Sequence, residues 1–234
     1  MLPRLTAIGF DADDTLWHNE RFFAMTQAHF ADLLSAHTDK DHLMDRLLVA
    51  ERRNLPHYGF GIKGFTLSMI ETAIEITDGK VPAKVIGEIL DAGRDMLSHE
   101  IELLPHAKET LITLGADHKL ILITKGDLLD QTRKLEQSGL RDYFSAVEIV
   151  SHKTPHEYRD IFSRHGQGPD TGLMVGNSMA SDVVPMIESG GWGVFCPHGL
   201  TWAVEHAAPP ETHPRFFEIT DLSELPDLVA QIAA

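Results

Sequence analysis

The sequence predicts an α/β fold in which a doubly wound parallel sheet carries an inserted α-helical domain. Two observations support this prediction. Short apolar segments alternate with helical segments over residues 100–234, as in parallel sheets whose two faces are covered by helices. The first apolar segment, residues 5–10, is followed instead by four helical patterns with no strand pattern between them. The helices therefore interrupt the sheet after its first strand.

The inserted region is helical except for one connector. Apolar residues recur at spacings of three and four over residues 19–55, and a break near Thr38 and Asp39 divides this stretch into two helices, because either residue can cap the second one. The same spacing predicts helices over residues 65–76 and 82–98. This region is therefore expected to fold as a helical unit.

A glycine-rich connector, residues 56–64, separates the second and third of these helices. It carries Tyr58, Phe60 and Lys63, and it has two interpretations, a mobile link or a loop that faces substrate. On either interpretation, the helical domain is expected at residues 18–99 and the α/β domain at residues 1–17 and 100–234.

The remaining chain alternates between strand and helix patterns. Strands are predicted at residues 119–123, 146–150, 172–175, 192–195 and 216–219. Helices are predicted at residues 106–114, 128–138, 156–165 and 181–188, and from residue 221. Ligands bind such sheets where the parallel strands end, so the residues that follow each strand are the candidates for a functional site.

Three carboxylates follow the first strand within four positions: Asp11, Asp13 and Asp14. A polar turn in which Asp14 or Thr15 caps the next segment is one interpretation. Crowded like charges are costly without a partner, however, and a bound cation is the preferred interpretation. Oxygen ligands of this kind suit Mg²⁺, which takes one or two carboxylates and keeps positions for water and a substrate phosphate.

Other metal sites fit the sequence less well. An EF-hand loop also begins with spaced acids, but it needs glycine at its sixth position and glutamate at its twelfth, where this chain has Leu16 and Phe22. His152 and His156 are poor candidates because sites built for hard cations rarely use imidazole. The other histidines show no ligand spacing.

Polar residues also follow the next three predicted strands. They are Thr124 and Lys125 after the second strand, Lys153 after the third, and Asn177 and Asp182 after the fourth. Each residue alone is ordinary on a protein surface. Because parallel strands end at the same edge of a sheet, however, we expect these hydroxyl, ammonium and amide groups to gather around the acids.

Charge and composition limit the classes of partner. A formal net charge of −15 argues against binding to nucleic acid or to an anionic membrane, because both would be repelled. The single cysteine, Cys196, cannot form an intrachain disulfide and is expected to be a packed side chain in a reducing compartment. No apolar run resembles a signal peptide or a transmembrane segment. A cytoplasmic protein is expected, and nothing indicates its oligomeric state.

The residues at the strand ends resemble, in order and spacing, the four motifs of the haloacid dehalogenase (HAD) superfamily. These residues are the segment 10–16, Thr124, Lys153 and the segment 176–182. The resemblance covers the whole chain, because the helical insertion is similar to the type 1 helical cap of that superfamily. It implies a Rossmann-like HAD core at residues 1–17 and 100–234, with the cap domain at residues 18–99.

The resemblance implies a phosphatase that hydrolyses a small phosphate monoester through an aspartyl-phosphate intermediate. Asp11 would be the nucleophile, and Asp13 would be the general acid and base. Thr124 and Lys125 would bind the substrate, with Thr124 donating to a phosphoryl oxygen. Lys153 would balance charge on the phosphoryl group and hold Asp11 in position.

The resemblance also implies a Mg²⁺ cofactor. Asp11 and the backbone carbonyl of Asp13 would bind the ion together with a side chain of the fourth motif. Many members of the superfamily carry aspartate where this chain has Asn177, which offers a carbonyl oxygen without charge. We therefore expect Asn177 to bind the ion and Asp182 to supply the missing negative charge, directly or through a water molecule.

Three alternatives stay open at this point. The 2-haloacid dehalogenases of the superfamily lack an acid at the position of Asp13 and need no metal, so Asp13 favours a phosphatase. A phosphomutase keeps this acid and is compatible with the motifs. A non-enzymatic phosphoacceptor or binding protein is the third alternative, although receiver-type phosphoacceptor domains carry no helical insertion.

Overall fold

A computed structural model describes residues 5–200 and 202–233 of the chain. Its strands are β1 Ala7–Phe10, β2 Lys119–Lys125, β3 Ala146–Val150, β4 Gly172–Gly176, β5 Trp192–Phe195 and β6 Phe216–Glu218. They form one parallel sheet with the order β3-β2-β1-β4-β5-β6. The predicted fold class is confirmed.

Nine α-helices lie within the described part of the chain. They are α1 Glu20–Leu33, α2 Lys40–Tyr58, α3 Ile62–Ile76, α4 Ala83–Ser98, α5 Ala107–Gly115, α6 Leu128–Ser138, α7 Pro155–His165, α8 Val184–Ser189 and α9 Leu225–Ala233. The break predicted near Thr38 and Asp39 is a true helix start, because the Asp39 side chain accepts from the His42 backbone N–H and caps α2. In the described residues, no helix has the length and hydrophobicity needed to cross a bilayer.

The strand β1 is the central strand of the sheet. Its last residue, Phe10, is in register with Leu122 of β2 on one side and with Val175 of β4 on the other. Alternate residues of β1 enter opposite cores: Ile8 packs with residues of α5 and α9, and Ala7 packs with residues of α7 and α8. Burial on both faces explains why the strand reads as a continuous apolar run.

The contacts divide the chain into two compact units. One comprises the described residues up to Glu20, Ile101–Lys125 and the described residues from Gln131 onwards, and it contains the sheet. The other comprises Arg21–Glu100 and Gly126–Asp130. The role of the second, helical unit as a cap stays a prediction.

The helical unit has an apolar core of its own, to which α1, α2, α3 and α4 contribute. The predicted connector at residues 56–64 is shorter than expected, since α2 continues to Tyr58 and α3 begins at Ile62. Pro56 is tolerated because it lies in the last turn of α2 and costs one backbone hydrogen bond near the helix end. Within the same unit, the Lys63 ammonium donates to Asp127 at 2.8 Å.

Candidate active site

Asp11 is the first residue after β1, and both its backbone and its side chain are held in place. Its backbone N–H donates to the Val175 carbonyl at 2.9 Å, which continues the pairing of β1 with β4. Asp11 Oδ1 accepts from the Lys153 ammonium at 2.5 Å, and Asp11 Oδ2 accepts from the Thr15 hydroxyl at 3.3 Å. The carboxylate therefore lies between a cation and a hydroxyl at the end of the central strand.

The same lysine serves a second carboxylate. Lys153 Nζ donates to Asp182 Oδ1 at 2.6 Å, and the two side chains are 1% and 0% exposed. Burial alone lowers the pKa of Lys153, but Asp11 and Asp182 outweigh it and raise this pKa. The single positive charge of Lys153 cannot neutralise both Asp11 and Asp182. As a result, burial together with the charge of Asp182 raises the pKa of Asp11 to about 7. This centre therefore favours the approach of a further cation.

Asp182 is positioned by a π-helical segment, Met179–Val183, that precedes α8. The Asp182 backbone N–H donates to the Ser178 carbonyl at 2.9 Å, and Asp182 Oδ2 accepts from the Ser178 backbone N–H at 2.9 Å. The sequence pattern predicts one continuous α-helix over residues 181–188. This prediction is wrong for the first turn, which belongs to the π-helical segment. The wider turn lets the carboxylate fold back over the end of β4, and π turns of this kind are frequent at functional sites.

Oxygen atoms converge beside Asp11. One atom of the Asn177 side-chain amide lies 3.1 Å from the Asp13 carbonyl oxygen and 3.2 Å from Asp11 Oδ2. If this atom is the amide nitrogen, it donates to both oxygens. If it is Oδ1, three oxygens face one another, and the Thr15 hydroxyl, 3.3 Å from Asp11 Oδ2 and 3.4 Å from Asn177 Oδ1, can donate its one proton to only one of them. A cation would satisfy the remaining oxygens. Carboxylate, backbone carbonyl and amide oxygens are ligands that suit Mg²⁺, so the donor set fits a hard divalent cation.

The side chain of Asp13 is held by groups from outside its own loop. The Lys134 ammonium lies 3.0 Å from both of its carboxylate oxygens. Trp17 Nε1 donates to Asp13 Oδ1 at 2.7 Å, and Gln131 Nε2 donates to Asp13 Oδ2 at 3.3 Å. Lys134 is itself oriented by the side-chain oxygen of Asn19, which accepts from it at 2.8 Å. Together these donors fix the position of the Asp13 carboxylate.

Thr124 lies near the end of β2 and is buried. Gln131 Nε2 donates to Thr124 Oγ1 at 2.6 Å, so the hydroxyl proton of Thr124 is left for another acceptor. Because the Gln131 amide also contacts Asp13, it links Thr124 to the acid loop. This arrangement is compatible with the donor role that the resemblance implies for Thr124.

Lys125, the last residue of β2, has a different environment from Lys153. Its ammonium forms an ion pair with Glu205 and donates to Ser181 Oγ at 2.6 Å. Glu205 Oε2 also accepts from Ser178 and Ser181, two residues of the turn around the π-helical segment. Burial alone raises the pKa of Glu205, but Lys125 together with Ser178 and Ser181 outweighs it and lowers this pKa overall. The substrate-binding role expected for Lys125 stays a prediction, and any substrate would share this ammonium with Glu205.

Asp14 has a local structural role. It adopts a left-handed conformation with a φ of 59°. Its Oδ1 accepts from the Asn19 backbone N–H at 2.9 Å, and its Oδ2 accepts from the Glu20 backbone N–H at 2.8 Å. Glu20 begins α1, so the capping interpretation holds for Asp14 but does not account for Asp11 or Asp13.

The sequence interpretation did not find several residues of this site. Gln131 and Lys134 lie three positions apart on α6, the helix that follows β2, and this spacing places them on one face of the helix. A search of the first two turns of the helices after each strand could have found them. Glu205 lies in an irregular segment between β5 and β6, where no spacing pattern indicates it.

A doubly wound parallel sheet with a carboxylate centre at the end of its middle strand defines a Rossmann-like α/β class of protein. Comparison with known families makes the assignment more specific. The model of the haloacid dehalogenase-like hydrolase family matches residues 5–190. The chain belongs to the haloacid dehalogenase-like hydrolases, and it is therefore a hydrolase of the HAD superfamily. A search of curated proteins found no match.

Solved structures agree with the family. A haloacid dehalogenase-like family hydrolase from Xanthomonas campestris is 40% identical with a TM-score of 0.88, covering 98% of this chain and 92% of that chain. An L-2-haloacid dehalogenase from Xanthobacter autotrophicus, with chloropropionic acid covalently bound, is 19% identical with a TM-score of 0.64, covering 97% of this chain and 98% of that one. A HAD phosphatase from Thermococcus onnurineus is 22% identical with a TM-score of 0.59, covering 96% of this chain and 98% of that one. The two more distant structures share the fold and leave the substrate class open.

Proposed function

We propose that this hydrolase is a Mg²⁺-dependent phosphatase that cleaves a small phosphate monoester through an aspartyl-phosphate intermediate. The observation that carries the proposal is the convergence of Asp11 Oδ2, the Asp13 carbonyl and the Asn177 amide beside the carboxylate that Lys153 holds. Such a group of oxygens supports a site for a hard cation, and a cation next to a nucleophilic carboxylate suits phosphoryl transfer.

Asp11 is the proposed nucleophile. A carboxylate oxygen of Asp11 forms a bond to phosphorus while the bond between phosphorus and the leaving alcohol oxygen breaks. Water then attacks the phosphorus of the aspartyl-phosphate and releases inorganic phosphate and free Asp11. The 2.5 Å hydrogen bond from Lys153 to Oδ1 supports this role, because it orients the carboxylate throughout both steps.

Asp13 is the proposed general acid and base. Its proton passes to the oxygen of the leaving alcohol in the first step, and its carboxylate takes a proton from the attacking water in the second. Lys134, Trp17 and Gln131 hold the carboxylate in position for these transfers.

Mg²⁺ would be held by Asp11, the Asp13 carbonyl and Asn177, and when bound it would neutralise charge between the carboxylate and the phosphoryl group. Asp182 contributes negative charge beside this group while its oxygens accept from Lys153 and Ser178. Both oxygens retain lone pairs, so a water-mediated contact with the ion is compatible with these bonds. Thr124 donates its hydroxyl proton to a phosphoryl oxygen in this proposal, and Lys125 provides a second cation at the same edge.

A dehalogenase is the competing function, because structures with both activities share this fold. The observation against it is the Asp13 side chain. Three donors hold this acid in the site, but a dehalogenase would not need it, because a halide leaving group takes no proton.

The net charge of −15 bears on the size of the substrate. It favours a small anion bound by local cations over a large polyanion such as nucleic acid.

A direct test compares two substrates on the same preparation. We expect release of p-nitrophenol from p-nitrophenyl phosphate with Mg²⁺, loss of this activity with a chelator, and no halide release from L-2-chloropropionate. Asp11→Asn should abolish turnover, and Lys108→Met, which changes an exposed lysine, is the matched control. Halide release without phosphatase activity would establish the dehalogenase instead. Transfer of phosphate to a second alcohol group of the substrate would identify a phosphomutase, and folded protein without any turnover would favour a binding protein.

A further inference from the structure

A second group of metal-ligating side chains lies outside the proposed catalytic centre. The donor atoms of Asp14, His18 and His198 all lie within 4.8 Å of one another. Asp14 Oδ1 is 3.6 Å from His198 Nδ1, and the two imidazole rings have centroids 5.7 Å apart. We propose that these three residues bind a divalent transition-metal ion of the zinc type.

The first two ligands are held in place before any metal arrives. The Asp14 backbone N–H donates to the Trp17 carbonyl at 2.7 Å, and the His18 backbone N–H donates to the Glu102 carbonyl at 3.0 Å. The Asp14 carboxylate is fixed by the backbone N–H groups of Asn19 and Glu20. Each carboxylate oxygen keeps a further lone pair, so these bonds leave Asp14 able to bind a cation.

The third ligand comes from a distant part of the chain. His198 follows β5, and its side chain is 15% exposed, beside an Asp14 side chain that is 5% exposed. A metal bound here would connect the loop after β1 to the loop after β5. Because His198 lies so far along the chain from His18, sequence spacing does not reveal the group.

The chemistry of the donors selects the metal. Two imidazoles and one carboxylate suit borderline cations such as Zn²⁺, Co²⁺ or Ni²⁺, whereas Mg²⁺ prefers oxygen ligands alone. The all-oxygen group beside Asp11 and the mixed group at Asp14 would therefore bind different ions from one solution. Three protein ligands leave at least one position of the ion open for water or an anion.

The test uses full-length protein without a histidine tag, with Mg²⁺ in excess so that the all-oxygen site is filled. Co²⁺ is the probe, because its visible absorption reports its coordination. We expect one Co²⁺ to bind per chain and Zn²⁺ to displace it. His18→Gln and His198→Gln should each weaken Co²⁺ binding by at least about tenfold. Loss of a residue that only supports a metal ligand already weakens metal binding by about this much, and His18 and His198 are proposed as direct ligands.

Two control variants separate this site from others. His156→Gln removes an exposed histidine that lies 3.3 Å from Asp160, and it should leave Co²⁺ binding unchanged. Asn177→Ala alters only the all-oxygen site and should also retain the Co²⁺ spectrum. Circular dichroism of each variant verifies folding. Wild-type protein that binds no Co²⁺ under these conditions, or a folded His198→Gln variant that binds it equally well, would overturn the proposal.

Discussion

The ammonium of Lys134 lies 3.0 Å from both carboxylate oxygens of Asp13, which ties the proposed acid and base to α6. Lys134→Met should therefore disturb proton transfer more than substrate binding. We expect the rate of alcohol release in a single turnover to fall about 10- to 100-fold for an alkyl phosphate, because a mispositioned Asp13 would lose part of the roughly 10²–10⁴-fold that general acid–base catalysis contributes. The same rate should fall much less for p-nitrophenyl phosphate, whose leaving group needs no proton.

Leaving-group dependence distinguishes this role from a general loss of structure. A variant that is merely misfolded would lose activity equally with both substrates, and equal losses would contradict the assignment. Lys108→Met, an exposed lysine on α5, provides the matched control and should behave like the wild type. Stopped-flow measurement of phenol release and a coupled assay of alkyl alcohol release supply the two rates.

A second prediction concerns the uncharged ligand of the proposed metal site. Asn177→Asp should tighten Mg²⁺ binding by at least about tenfold, because one added unit charge at ~4 Å attracts a divalent ion by about 2 kcal/mol even in a water-like dielectric. Asn177→Ala should weaken binding. The concentration of Mg²⁺ that gives half-maximal activity measures both effects.

The same substitution tests the orientation of the Asn177 amide. If the amide nitrogen donates to Asp11 and to the Asp13 carbonyl during catalysis, no ion lies among these oxygens. The aspartate variant would then add only repulsion and show no gain in Mg²⁺ affinity. Equal Mg²⁺ dependence in the wild type and in Asn177→Asp would thus remove Asn177 from the ligand set.

A third prediction concerns Glu205 and pH. Lys125 is the first of the groups that hold the pKa of Glu205 below its usual value of 4.5 in the folded protein. The ion pair therefore stabilises the fold fully at pH values above 4.5. This stabilisation is lost as the pH falls through the pKa of the folded state. Glu205→Gln should lower stability at neutral pH by on the order of 2–4 kcal/mol, because it removes the carboxylate that forms the ion pair with the Lys125 ammonium.

Thermal unfolding across a pH series measures this effect. The difference in Tm between the wild type and Glu205→Gln should be largest at neutral pH and should shrink on acidification below about pH 4. A difference that stays constant over the whole range would show that the loss does not come from the charge of Glu205. Glu211→Gln, which changes an exposed acid of the same irregular segment, is the control.

The strand ends could be predicted from the sequence because the physics of parallel sheets is simple. Strands that are buried on both faces, such as β1 and β4, appear as short apolar runs, and their carboxyl ends must share one edge. Asp11 and Asn177 follow such runs directly, and Lys153 follows the half-buried edge strand β3, so topology alone places the three at one edge. Their contacts agree with that reasoning.

The rest of the site depends on details that apolar patterns do not carry. Lys134 reaches Asp13 because of its face on α6. Four other lysines lie on helices, at positions 40, 63, 84 and 108, and apolar spacing does not distinguish Lys134 from them. Glu205 reaches Lys125 from an irregular segment whose path depends on tertiary packing. The π-helical turn at Met179–Val183 changes the backbone hydrogen bonding without changing the apolar spacing.

A final prediction uses two glycines with opposite surroundings. A Cβ atom at Gly9, in β1, would lie 2.9 Å from Ile123 Cδ1 and from Met174 Sδ, both in the packed core. Gly9→Ala should therefore destabilise the fold by ~1–3 kcal/mol, the usual cost of overpacking. Gly87, inside α4, has no atom within 4 Å of its Cβ position apart from its chain neighbours and the nearby backbone of its own helix. Gly87→Ala should stabilise the protein by ~0.5–1 kcal/mol because alanine favours the helix.

Urea unfolding of both variants measures the two free energies under one set of conditions. The substitutions add the same methyl group, so a difference in sign reflects the different surroundings of the two glycines. If Gly9→Ala proved as stable as the wild type, the side chains of Ile123 and Met174 would be free to move aside. The close packing described for the centre of the sheet, which positions Asp11 two residues later, would then be incorrect.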